Sequence, residues 1–258
     1  MKKTVFLLIV MASIAVGAAA QDAQSIIRTS RDLNKALTVS SRSRMVITAR
    51  NGGTTERRID QYSKDDASGN SRIVIVFQSP ASVAGTRFLT LEKPAGTPNE
   101  QWIFLPSLNR VRRIAASEGS GSFMGTDFSY DDISSLSRDW SLDEHRILRE
   151  ETLNGNACYV IQSTPKDSSY QYSRMISWID KNTHSNYKLE LYDRRNVLLK
   201  VVEFSNIRDV QGKLSPMSTK ITTVAAGTFT TIFSEILRYD DPIPESVFTQ
   251  RYLETGRP

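Results

Sequence analysis

Cysteine is nearly missing from these 258 residues: Cys158 stands alone, so no disulfide can close within the chain and a bridge-stapled scaffold is excluded. Its alternating neighbourhood, Ala157 to Ile161, reads as a strand that buries the thiol. Histidine is equally scarce. His145 and His184 lie far apart, without thiols or carboxylates at ligand spacing, so neither a metal nor another cofactor is expected. The sequence also lacks a Gly-rich phosphate loop ending in Lys-Ser or Lys-Thr, and a dinucleotide fingerprint between a strand and a helix. Gly119-Ser120-Gly121-Ser122 has small residues but not the spacing of a nucleophile elbow. No repeat of fixed period, low-complexity tract or linker interrupts the chain, which argues against a solenoid and against a second domain.

Long apolar runs are absent except at the start. Lys2 and Lys3 precede an apolar run from Val5 to Ala12, which weakens toward Val16 and ends in the small residues Ala18 and Ala20. The run is shorter than the roughly 20 residues a spanning helix needs, and it has the order of a secretory signal, removed after Ala20. The next residue is Gln21 rather than cysteine, so the mature chain is not expected to carry a lipid anchor. Loss of Lys2 and Lys3 lowers the formal charge from +5 to +3 with both signs interspersed, which does not suit a nucleic-acid partner.

Residues 21–258 read as a single domain, mainly β with a few helices. The spacing of Ile26, Ile27, Leu33 and Leu37 predicts an amphipathic helix from Asp22 to Leu37. Short apolar or alternating runs then follow from Met45 to Ala115 and again from about Trp140 to Leu237. Turn residues such as Asn51-Gly52-Gly53 and Ser68-Gly69-Asn70 separate them. The pattern predicts about eleven strands in an antiparallel meander that curls into an incomplete barrel. The tail from Asp241, with Pro242, Pro244, Val247, Phe248, Tyr252 and Leu253, reads as a docked end piece.

Between the two strand series, residues 116–130 are rich in Gly and Ser yet hold Phe123, Met124, Phe128 and Tyr130, the mark of a functional or locally packed loop. Glu118, Asp127, Asp131 and Asp132 offer carboxylates that could act as an acid and base on a lipid or glycan. The run from Asp131 through Ile133 to Leu136 fits better a short helix with its acidic end at the N-terminus. Arg110, Arg112 and Arg113 alternate with Val111 and Ile114, giving either a solvated basic edge or a docking patch for an anionic headgroup or a partner.

The motif block resembles a known family. Ser79-Pro80, Gly85-Thr86-Arg87-Phe88-Leu89, then Gln101-Trp102-Ile103-Phe104-Leu105-Pro106-Ser107-Leu108-Asn109-Arg110-Val111-Arg112-Arg113-Ile114, and Gly121 to Ile133 with Phe123-Met124-Gly125-Thr126-Asp127-Phe128, are similar to the outer-membrane lipoprotein-sorting family of LolA-like periplasmic proteins. The resemblance implies a strongly curved, incomplete antiparallel β-barrel with helices in its open mouth. It also implies a soluble periplasmic carrier that shelters acyl chains of lipoproteins or lipids, with an inner-membrane exporter and an outer-membrane acceptor as partners. Such a carrier would touch membranes transiently, as a monomer and without catalysis.

On that basis Phe77, Phe88, Trp102 and Phe104 line the cavity, with Phe123, Met124, Phe128 and Tyr130 on a movable flap; packing in an ordinary core is the alternative for the strand residues. The family's carriers tie lid to barrel through one arginine. No motif singles it out here, and Arg44 and Arg87 are candidates. Two other readings stay open. One is an accessory or sensor module for an exporter of the resistance-nodulation-division type, docking through Arg110 and Arg112. The other is an enzyme using Asp127, Asp131 or Asp132.

Overall fold

The computed structural model describes residues 23–33, 35–94, 97–135 and 138–258. The expected signal, 1–20, lies outside them. Among the described residues no helix is long and apolar enough to cross a membrane.

Helix α1 occupies residues 23–32. Six strands follow: β1 (Thr38–Thr48), β2 (Thr54–Asp65), β3 (Ser71–Ser79), β4 (Arg87–Leu91), β5 (Glu100–Leu105) and β6 (Arg110–Arg113). A short helix α2 (Tyr130–Ser134) separates them from β7 (Asp143–Leu153), β8 (Asn156–Pro165), β9 (Arg174–Asp180), β10 (Asn186–Tyr192), β11 (Leu198–Val210), β12 (Lys213–Thr223) and β13 (Thr228–Tyr239). Helix α3 (Gln250–Thr255) ends the chain. The strands form one sheet in the order β6-β5-β4-β3-β2-β1-β13-β12-β11-β10-β9-β8-β7, open at β6 and β7. Consecutive strands are neighbours within each of the runs β1 to β6 and β7 to β13; β6 and β7 are the two free edges, and β1 pairs antiparallel with β13 to join the runs.

The class is the expected one, an antiparallel sheet that does not close into a barrel, but it has 13 strands rather than about eleven. The helix α1 is shorter than expected at its C-terminal end, because Thr38 already opens β1, where the apolar pattern starts only at Met45. Leu37, assigned to the helix by its spacing, is instead exposed.

The chain packs as two compact units, one made of the described residues up to Leu33 with Asp139–Val201, the other of Asn34–Arg138 with Val202–Pro258. In the first, Ala23 and Ile27, one helical turn apart, bury against Ile161 and Ile179 of β8 and β9. The opposite face of the same strands buries Cys158, Val160, Ile176 and Trp178. The Cys158 thiol is pushed up in pKa by burial, as suits a packing residue. His145 is also structural: its Nε2 faces the Trp140 carbonyl at 2.9 Å, which can only accept, so Nδ1 takes the Ser163 hydroxyl at 2.8 Å.

In the second unit both faces of β3 to β5 are buried, which explains the continuous apolar run Ile73 to Phe77. Val74, Val76, Leu89, Trp102 and Phe104 point to one face, covered by Ile243, Val247, Phe248 and Leu253 of the tail. The tail is therefore the docked end piece its composition suggested. Glu245 fastens it through Lys64 and Arg72, each at 2.5 Å, and Arg87 donates to the Leu253 and Glu254 carbonyls at 2.6 and 3.1 Å.

Candidate functional site

The other face of β3 to β5 carries the candidate site, and its cover is the Gly-rich segment. Phe77 and Phe88 are fully buried there, with Ile103 opposite Phe88 on β5. Phe123 reaches down between them, its ring centroid 5.8 Å from Phe77, 5.1 Å from Phe88 and 5.4 Å from Tyr130. The tilted and edge-on arrangements are those the ring quadrupoles favour. Residues 122–129 make a tight closed loop in which the Phe123 N–H donates to the Phe128 carbonyl at 2.7 Å. Its two tip residues, Met124 (φ 53°) and Gly125 (φ 77°), are both left-handed. Gly125 takes that conformation freely, while Met124 is held there at some cost.

Polar ties hold this flap to the sheet. Asp127 is buried and accepts from the hydroxyls of Thr223, Thr228 and Thr230 at 2.7, 2.5 and 2.7 Å. Arg57 Nη1 donates to the Met124 carbonyl at 2.6 Å, with its guanidinium 5.7 Å from the Phe77 ring centre. Burial lowers the Arg57 pKa, and no carboxylate pairs with it among the described residues. Gln101 Nε2 donates to the Tyr130 carbonyl at 3.3 Å. Burial likewise raises the Tyr130 phenol.

The expected cavity set thus divides. Phe77, Phe88, Phe123 and Tyr130 come together, and Phe128 is buried in the same flap. Met124 contributes its carbonyl to Arg57. Trp102 and Phe104 do not join them, because strand alternation turns them to the face beneath the C-terminal tail. Neither guessed arginine ties the flap: Arg44 lies 4.4 Å over Phe233 and pairs with Glu56, and Arg87 holds the tail. Arg57 makes that tie, and the sequence reading passed over it.

The four carboxylates of the segment are engaged structurally. Glu118 receives the Ala115 N–H and the Arg112 guanidinium, which together hold its pKa below the usual carboxylate range. Asp132 closes a capping box with Ser129 at the start of α2, the helix and acidic N-terminus that the spacing suggested. The Asp131 carboxylate lies over Gly119, where an added Cβ would come within 2.2 Å of it and would push the carboxylate aside. On the edge strand β6, Arg112 pairs with Glu118 and Arg113 with Glu100 at 3.6 Å, while Arg110 is exposed with no ion pair among the described residues.

The open antiparallel sheet with an aromatic face under a tied flap is a LolA-like fold. A DUF1329 family protein from Desulfovibrio piger ATCC 29098 superposes with a TM-score of 0.86 at 28% identity, over 91% of this chain and 99% of that one. A Vibrio parahaemolyticus domain named for outer membrane lipoprotein sorting does so with a TM-score of 0.83 at 26% identity, over 91% and 99%. A LolA superfamily protein from Nitrosomonas europaea shares the fold, with a TM-score of 0.71 at 21% identity over 89% and 98%. No match was found among curated proteins. The family model that matches residues 69–255 is described as "-like: Uncharacterized protein", and the chain belongs to that family.

Proposed function

We propose that this protein is an exported carrier that shelters the acyl chains of lipids or lipoproteins on the Phe77–Phe88 face of its sheet, beneath the flap of residues 119–130. Phe123 carries the reading: a fully buried aromatic ring on a loop fixed by a few polar ties occupies apolar surface that an acyl chain would take. Moving an acyl chain through water forfeits about 0.8 kcal/mol per methylene, so a chain of about fifteen carbons needs about 10 kcal/mol of shelter. The sheet face with Phe123 withdrawn is apolar enough to contribute to it. The likeness to the lipoprotein-sorting domain and to the LolA superfamily protein supports the same reading, as does the N-terminal signal pattern.

In this reading Arg57 is the lid-to-sheet arginine, and Arg110 on the edge strand is the docking contact for a membrane or an exporter. The test is titration with a fluorescent acyl probe. Saturable binding that a Phe123→Trp substitution weakens is the expected result, and no saturable binding would overturn the reading.

A further inference from the structure

The aromatic face holds two polar side chains on each of which one oxygen is left without a partner among the described residues. Thr90 on β4 and Gln101 on β5 are directly opposite in the antiparallel register, which places their Cβ atoms about 5 Å apart. They are only 2% and 4% exposed. The Thr90 hydroxyl and the Gln101 Oε1 have no hydrogen-bond partner among the described residues. The glutamine cannot resolve this by turning over, because its Nε2 donates to the Tyr130 carbonyl and an oxygen placed there would face an oxygen. Leaving such groups buried and unmet is costly, and a built polar pair beside Phe88 and Ile103 calls for a complement.

We infer that Thr90 and Gln101 form a polar subsite that receives a hydrogen-bond donor next to the acyl chain of the ligand. Gln101 Oε1 can only accept, so the ligand supplies an N–H or O–H, while the Thr90 hydroxyl donates to or accepts from the same group. The subsite therefore selects acyl amides and hydroxyl-bearing acyl compounds over plain esters. The bond from Gln101 Nε2 to the Tyr130 carbonyl leaves Oε1 as the atom presented to the ligand. This inference rests on the carrier reading and adds the head-group chemistry.

The test uses two competitors of equal chain length, N-methylpalmitamide and methyl palmitate, which differ in one N–H, against a fluorescent acyl probe. The ratio of their affinities is measured for the wild-type protein, for Thr90→Val, which keeps shape and the Tyr130 contact, and for Gln101→Met. A ratio in favour of the amide that falls by about tenfold in the variants is expected for one buried hydrogen bond. An unchanged ratio would overturn the subsite while leaving the carrier reading standing. Failure of both competitors to displace the probe from wild-type protein would overturn both.

Discussion

Asp127 and Thr230 bind each other twice: the Thr230 hydroxyl donates to Asp127 Oδ2 at 2.7 Å and accepts the Asp127 backbone N–H at 3.0 Å. One hydroxyl on β13 thus serves both the side chain and the main chain of the flap, 103 residues away in sequence. Thr230→Val keeps the shape and leaves a buried N–H without a partner. It is expected to cost about 2 kcal/mol in urea unfolding, with Thr223→Val, which removes a single bond, costing less.

Arg57→Met removes the other main tie, a charge-assisted bond to the Met124 carbonyl. Amides of residues 121–128 are expected to exchange with solvent about tenfold faster, with the tail amides around Leu253 unaffected. A flap that opens more often also raises the binding-competent population, so the acyl probe is expected to bind more tightly.

Phe123→Ala and Phe104→Ala separate the two faces of the sheet. Each is expected to cost about 3 kcal/mol or more, as large-to-small changes in a core do. Only Phe123→Ala is expected to change acyl-probe binding, because Phe104 packs under the tail. Equal effects on binding would contradict the division.

The tail is expected to loosen in acid. Glu245 is held down to a pKa of about 2 by hydrogen bonds and charge from Arg72 and Lys64. A depressed carboxylate contributes its stability above its ordinary pKa, 4.5, and loses it as the pH falls through about 2. Pepsin cleavage of residues 241–258 is expected to accelerate across that window in the wild type. In Glu245→Gln it is expected to be fast throughout.

The strands and the docked tail were legible because they depend on local alternation and on apolar residues after prolines. The short helix α2 with its acidic start was legible too, since Asp131 and Asp132 fall in its first turn, whereas its Ser129 cap was not read. What could not be read was which face each element covers. Ile73 to Phe77 is apolar throughout, so no local pattern says which face of β3 meets the flap, and only the register that sets Trp102 and Phe104 opposite Leu89 and Arg87 parts them from Phe88. Arg57 gave no signal because its partner is a backbone carbonyl, which any residue supplies. The threonines that hold Asp127 sit in the hairpin from Thr223 to Thr230, nearly a hundred residues or more from it, and only the fold brings them together.

The most direct measurement is native mass spectrometry of residues 21–258, purified without detergent and followed by organic extraction. The account expects a population heavier than the bare chain that releases an acylated species on extraction, and a smaller such population when Phe123 is replaced by Trp. A bare mass that stays unshifted when acyl amides and diacyl lipids are added would contradict it.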